Sequence, residues 1–169
     1  MKRLLIAIAV VAMASTAMGA VGVEFGSNWF KPRLNPANSG YDWFGQGQNM
    51  TISWTIENDL ALGVYSEATM LNDGSGNTDP FNVNALLISK GIVKNVAVAV
   101  HLGTFYEDYY GVSGLLADVF GEVTVLSGKG EKVEGALKTQ AGGRFADDSN
   151  AGGEDWSGWF INLIVSLSI

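Results

Sequence analysis

The single histidine of the chain, His101, is the side chain best suited to acid–base chemistry at neutral pH. It stands in the alternating segment Val96 to Gly103, on the face from which it can neighbour Asp118 of the next segment. A His–carboxylate pair can orient a general base for a serine nucleophile, as surface lipases and deacylases require. No serine stands in a recognisable nucleophile motif, so the sequence favours a structural, hydrogen-bonded histidine.

Oxygen-bearing side chains that suit Ca²⁺ gather in two further segments. They are Asp73, Ser75, Asn77 and Asp79 in the first segment, and Asp147, Asp148, Glu154 and Asp155 in the second. Neither spacing completes a calcium loop: after Asp73 the expected turn glycine is Thr78, and the expected bidentate glutamate is Asn84. We therefore predict solvated hairpin tips, with no metal and no cofactor.

The elements that must position these side chains are β-strands, because period-two alternation recurs along the chain and no segment keeps a helical period. The eight predicted strands are Val21 to Trp29, Met50 to Glu57, Leu60 to Met70, Phe81 to Lys90, Val96 to Gly103, Val112 to Val125, Val133 to Phe145 and Trp156 to Ile169. The fold class is thus all-β.

One strand face is apolar, and the opposite face carries small residues mixed with charges. Small residues such as Gly22, Ser53, Ala99 and Ser166 suit a crowded barrel lumen better than a solvated sheet face. The predicted lumen charge network is Glu24, Glu67, Lys90, His101, Asp118, Glu122, Glu134, Lys138 and Arg144. Buried charges of mixed sign must pair, and we expect Lys138 to pair with Glu122 across the turn near Gly130.

The predicted joints alternate between short and long. The short ones are Glu57 to Asp59, Gly91 to Asn95 and Ser127 to Lys132; the mostly longer ones are Lys31 to Gln48, Leu71 to Asp79, Tyr106 to Gly111 and Ala146 to Asp155. In an up-and-down barrel this places the short turns at one end and the longer loops at the other, as in outer-membrane barrels.

The N-terminus predicts export. Met1, Lys2 and Arg3 precede an apolar run from Leu4 to Ala14 and the small residues of 17–20, which together are typical of a secretory signal peptide. The predicted organisation is a signal peptide at 1–19 and one barrel domain at 20–169. A net charge of -7 argues against binding nucleic acid, and the absence of cysteine leaves stability to strand pairing and burial.

With these features the chain resembles the small OmpA/OmpX-type outer-membrane barrels: a signal peptide, eight alternating strands and a final strand ending at Ile169. Members usually end in an aromatic residue, and Ile169 departs from that pattern. The resemblance implies an up-and-down antiparallel transmembrane β-barrel in the outer membrane of a Gram-negative-type bacterium. It also implies outer-membrane lipid and the outer-membrane assembly machinery as partners.

Aromatic residues concentrate toward the long-loop end of the predicted barrel. Those expected to form an outer-leaflet girdle or a loop binding surface are Trp29, Trp43, Phe44, Tyr109, Tyr110, Trp156 and Trp159. Rings with one apolar and one wet side favour the membrane interface. A partner-binding surface at the loop tips is the alternative, chiefly for Trp43, Phe44, Tyr109 and Tyr110.

Three functions remain open on the sequence. The first is a non-enzymatic outer-membrane barrel that presents loops for envelope integrity or contact with a surface partner. The second is an outer-membrane lipid-modifying enzyme built on His101. The third is a secreted soluble β-sandwich or ligand-binding barrel, whose apolar face would form the core.

Overall fold

The computed structural model describes residues 20–32, 44–56, 59–108, 111–148 and 156–169. These residues form eight strands: β1 (Val21–Pro32), β2 (Phe44–Thr55), β3 (Leu60–Asn72), β4 (Thr78–Val93), β5 (Val96–Glu107), β6 (Val112–Lys129), β7 (Glu134–Asp148) and β8 (Gly158–Ser168). The described residues include no helix long and apolar enough to cross a membrane. The predicted signal peptide, 1–19, lies outside the described residues.

The strands form one closed antiparallel barrel in chain order, from β1 to β8. β1 pairs with β2 on one side and with β8 on the other, and Val21 and Ile169 exchange two backbone hydrogen bonds of 3.1 Å. Closure leaves no unpaired sheet edge. The predicted up-and-down barrel of eight strands is therefore confirmed, and a two-sheet sandwich is excluded.

The strands run further toward the loop end than the sequence predicted. The predicted loop Leu71 to Asp79 is wrong at both ends, because β3 and β4 stay paired as far as Asn72 and Thr78 and leave only 73–77 as the connection. Pairing requires backbone hydrogen bonds alone, whereas alternation is visible in a sequence only where the two faces differ in polarity. At this end of the barrel the outer face carries polar Asn72 and Thr78, while the inner face carries apolar Leu71 and polar Asp79. The two faces therefore no longer differ consistently in polarity, and the alternation ends before the strands do.

The two faces of the barrel differ as predicted, with the apolar face outside. The large outward-facing apolar side chains include Phe25, Met50, Val64, Leu86, Val98, Leu102, Leu115, Val119, Phe145, Ile161, Leu163, Val165 and Leu167, all of them exposed. Glu67, His101, Asp118 and Arg144 are buried inside. The interpretation as a soluble sandwich with an apolar core is thus wrong, since the apolar face is turned outward all round the barrel.

The final strand allows a direct test of this inside-out arrangement. Leu163 is 46 % exposed on the outer face of β8, and Ser166 is 8 % exposed and faces the lumen. In protein reconstituted in lipid vesicles, we expect a spin label at Leu163→Cys to be accessible to oxygen dissolved in lipid and shielded from a water-soluble relaxation agent. A label at Ser166→Cys should be restricted and poorly accessible to both. A mobile, water-accessible label at Ser166, with Leu163 shielded from both agents, would contradict this arrangement.

Candidate functional site: the charged barrel interior

Arg144 of β7 is the centre of the interior, 1 % exposed and held between two carboxylates. Its Nε and one terminal nitrogen donate to Asp118, its register partner on β6, at 2.9 and 3.0 Å. Its two terminal nitrogens donate to Glu67 of β3 at 2.9 and 2.8 Å. Because β3 does not neighbour β7 in the sheet, these bonds bridge the barrel interior.

Glu67 is satisfied further by neighbours on its own strand. It accepts hydrogen bonds from the Tyr65 hydroxyl at 2.6 Å and from the Thr69 hydroxyl at 2.8 Å. Thr69 in turn accepts from the Asn28 amide of β1 at 2.7 Å. A buried carboxylate is tolerated when its lone pairs are met in this way, so the network compensates for the desolvation of the ion pair.

His101 joins the same network through Asp118. The two are register partners on β5 and β6, and His101 Nδ1 lies 3.1 Å from an Asp118 carboxylate oxygen. The imidazole stacks on Tyr65, with ring centroids 3.9 Å apart, and is tilted against Phe120 at 4.6 Å. The ring is thus held by two aromatic neighbours and by its hydrogen bond, which suits a structural role.

Aromatic rings cover the loop-end side of the guanidinium. The Arg144 Cζ lies 4.7, 5.3 and 5.7 Å from the ring centroids of Phe30, Phe160 and Phe81, within cation–π range. Phe81 contacts Trp156, which is fully buried. The interior at this end is therefore filled by rings.

A second charged cluster lies closer to the turn end of the barrel. Lys138 of β7 contacts Glu24 of β1 at 2.6 Å and Glu122 of β6 at 3.0 Å, so the predicted Lys138–Glu122 pair is present. Glu122 also accepts from Gln140 at 2.8 Å, and Gln140 accepts from Asn162 of β8 at 2.9 Å. This cluster ties β1, β6, β7 and β8 together.

Two of the residues predicted for the lumen network lie elsewhere. Lys90 is exposed on the outer face of β4, where it pairs with Val98 of β5. The prediction that Lys90 lies in the lumen was therefore wrong. The physical reason is that β4 is apolar on both parities around Leu86 and Leu87, which hides the inward face from sequence reading. Glu134 lies on the inward-facing side of β7, but it is exposed because it is the first residue of the strand, at the rim of the barrel.

The structure places only some residues of the predicted aromatic girdle on the outer face. Phe44 and Trp159 are exposed on the outer face, and Trp29 is half-buried there. Trp156 is wrong as a girdle residue, because it is buried inside the barrel against Phe81. The remaining predicted residues lie outside the described residues: Trp43, Tyr109 and Tyr110.

The first acidic segment forms a hydrogen-bonded hairpin connection. The Asp73 carboxylate accepts from the backbone and side chains of Ser75 and Asn77 at 2.7 to 3.2 Å. Desolvation raises the pKa of Asp73, but these hydrogen bonds outweigh it and lower the pKa to about 2. Among the described residues no group of acidic, histidine or cysteine side chains is arranged to hold a metal ion.

Several interior residues were missed by sequence reasoning. Tyr65, Thr69 and Asn28 complete the Glu67 site, and Phe30, Phe81 and Phe160 cover Arg144. The alternation of the sequence already indicated that these side chains point inward. Their contacts across the lumen were not, since these depend on how the sheet closes.

The contacts of the interior side chains suit stabilisation of the barrel better than catalysis. In the described part of the chain, His101 hydrogen bonds to Asp118, and no serine hydroxyl bonds to its ring. Both oxygens of Asp118 are engaged by Arg144, and all three side chains are fully buried. The acid–base pair expected from the sequence is present, and among the described residues the hydrogen-bond partner of His101 is a carboxylate that also binds Arg144.

Comparison with known proteins identifies no family model and no curated protein that matches the chain. Among solved structures, the outer membrane protein OprG from Pseudomonas aeruginosa is similar to it, with a TM-score of 0.48 and 9% sequence identity. The similarity covers 90% of this chain and 96% of that one.

The Arg144 site predicts a strong dependence of stability on charge pairing. Arg144→Met leaves Glu67 and Asp118 buried without a counter-charge, so we expect the free energy of unfolding to fall by about 3–5 kcal/mol. Combining it with Glu67→Gln and Asp118→Asn should recover much of that loss. Urea unfolding in lipid vesicles, followed by tryptophan fluorescence, measures both. Equal stability of the single and triple variants would show that the pairing is unimportant.

Proposed function

We propose that this chain is a non-enzymatic outer-membrane barrel that anchors surface loops for envelope integrity or contact with a partner. The observation that carries the proposal is the combination of an apolar outer face with an interior closed by the Arg144 cluster and its aromatic cover. The first feature suits lipid as solvent, and the second leaves the barrel as an anchor rather than a pore.

The outer face supports a membrane location. Exposed apolar residues such as Phe25, Leu86, Val119 and Leu163 face outward on strands all round the barrel. In water this would be a large exposed apolar surface, which soluble monomers rarely carry. A closed barrel satisfies its own backbone hydrogen bonds, which is the condition for a sheet to lie in hydrocarbon. Outer-membrane lipid is accordingly the first partner we propose.

The final strand suggests how the barrel is completed during assembly. β8 must pair with β1 to close the sheet, and it presents Leu163, Val165 and Leu167 outward beside the β1 face of Val23 and Phe25. We propose that the outer-membrane assembly machinery inserts the chain and that closure of this pair is the last step.

A lipid-modifying activity is less well supported. A hydrolase or acyltransferase acting on lipid needs a nucleophile reachable from the membrane. His101 is 1 % exposed, faces the lumen and contacts the rings of Tyr65 and Phe120. Its geometry supports a positioning role within the charge cluster.

The location is tested by labelling in intact cells, which the absence of native cysteine makes simple. Ser75 is exposed in the connection between β3 and β4, and Lys94 is exposed in the turn between β4 and β5 at the opposite end. We expect Ser75→Cys to react with a membrane-impermeant maleimide in intact cells. Lys94→Cys should react only after the outer membrane is permeabilised. Equal labelling of both without permeabilisation would contradict the proposed orientation.

The anchor role predicts negligible ion conductance. In planar bilayers the purified protein should give no steady single-channel current, because a barrel of eight strands encloses only enough space for side chains. A porin of about sixteen strands, which encloses a water-filled channel, is the positive control. Large, steady currents from the purified protein would show an open path through the interior and overturn the anchor role.

A further inference from the structure

The two ends of the barrel differ in charge. The four connections at the loop end contain nine acidic residues and two basic ones in the segments 31–48, 71–79, 106–111 and 146–155. The three connections at the turn end contain three acidic and three basic residues in the segments 57–59, 91–95 and 127–132. The negative net charge of the chain is therefore concentrated in the connections of the loop end.

Asp79 is an acidic residue buried at this end without a donor to one of its oxygens. It is the second residue of β4, faces inward next to Phe81 and is 7 % exposed. Among the residues that the structure describes, its Oδ2 has no hydrogen-bond partner. Asp79 precedes Leu86, where the exposed apolar side chains of β4 begin, so it lies outside the lipid-facing part of the strand.

The surroundings of Asp79 carry the same sign of charge. Burial raises the pKa of Asp79, and the neighbouring carboxylates of Asp73 and Asp108 raise it further. The backbone N–H of Asp108 donates to the carbonyl of Pro80 at 3.2 Å, which holds Asp108 beside this part of β4. A buried carboxylate next to two like charges is a site at which a cation is stabilised.

The two neighbouring carboxylates contribute in different ways. Both oxygens of Asp73 already accept from Ser75 and Asn77, so Asp73 supplies charge rather than an open acceptor. Asp108 is exposed, and its Oδ1 accepts from the Tyr106 hydroxyl at 3.0 Å. A carboxylate offers about four lone-pair sites, so Asp79 and Asp108 can accept further hydrogen bonds from a partner.

An organic cation suits this arrangement better than a metal ion. Ca²⁺ takes about 6–8 oxygens at roughly 2.3–2.6 Å, and the described acidic side chains are not arranged to supply such a set. Ammonium and guanidinium groups donate several hydrogen bonds and can join carboxylates that lie apart. Arg144 does so inside the same barrel, where it bridges Asp118 and Glu67.

The spread of the acidic residues favours a polypeptide over a small amine. The β3–β4 connection region supplies Asp73 and Asp79, the β5–β6 connection region supplies Glu107 and Asp108, and segment 146–155 contains four more acidic residues. A small amine can contact only one such group, whereas a chain with several arginine or lysine residues can contact all three. Successive charge contacts of this kind also raise the rate of encounter between the partners.

We propose that the loop end of this barrel binds a cationic segment of another polypeptide. An arginine or lysine side chain of the partner donates to Asp79 and Asp108, and the other acidic residues of the loop end attract the remaining cationic residues of the segment. The inference rests on the proposed function, because it gives the chemistry of the partner that contacts the surface loops.

Binding of a fluorescent oligo-arginine peptide to the protein in nanodiscs of zwitterionic lipid tests the proposal. We expect Asp79→Asn with Asp108→Asn to weaken binding about tenfold, because hydrogen bonds to charged groups are lost. The matched control is Glu131→Gln with Glu134→Gln, which removes the same charge from exposed positions at the turn end and should leave the affinity unchanged. Circular dichroism checks that both variants are folded. Asp108→Asn alone, at an exposed position, should weaken binding several-fold and serves as the test if the double variant does not fold.

Three outcomes would overturn the cationic partner. The first is equal affinity of the unchanged protein and the loop-end variant. The second is an equal loss of affinity in the turn-end control, since net charge alone would then explain binding. The third is displacement of the peptide by Ca²⁺ or spermine at concentrations lower than those at which unlabelled peptide displaces it, since the site would then select a small cation.

The labelling of Ser75→Cys in intact cells separates this inference from the proposed function. If that cysteine does not react with the impermeant maleimide, the presentation of the loops at the surface is itself overturned. If it reacts and the oligo-arginine peptide does not bind, only the cationic partner is overturned. Labelling together with peptide binding that depends on Asp79 and Asp108 supports both.

Discussion

The ion pair that joins Arg144 to Asp118 and Glu67 is the constraint around which the barrel interior is organised. Asp118 is the neighbour of Arg144 across one strand pair, whereas Glu67 reaches it from another part of the wall. Such a bridge forms only in a closed barrel, and it fixes the relative position of walls that share no backbone hydrogen bonds. The cost of desolvating three charges is offset by a dense set of hydrogen bonds and by the rings that cover the guanidinium.

The remaining interior is arranged about this pair in layers. Toward the loop end, Phe81, Phe105 and Trp156 exclude water from the guanidinium. Toward the turn end, Lys138 and its two carboxylates form a more solvated cluster, with Lys138 19 % exposed. His101 belongs to the first layer, where stacking and its bond to Asp118 explain why a histidine is accommodated. Charge in this protein therefore stabilises a filled lumen.

On the outer surface, in contrast to the charged interior, most of the large side chains are apolar and exposed. Against this background several outward-facing polar side chains are exceptions. They are Ser27, Gln48, Ser66, Asn84 and Thr104, whereas β8 presents Ile161, Leu163 and Val165.

The sequence by itself determined the number of strands, their order in an up-and-down barrel and which face of most strands points inward, because period-two alternation records which face of a strand is apolar. It also placed His101 beside Asp118 and Lys138 near Glu122, since these are neighbours across a single hairpin. It could not place Lys90, because β4 is apolar on both faces. Nor could it exclude Trp156 from the girdle, because that residue precedes β8. Only the tertiary structure decided that Glu67 meets Arg144 and that rings from β1, β4 and β8 cover it. Those contacts join strands far apart in the chain, and barrel closure and stagger, which no local pattern encodes, bring them together.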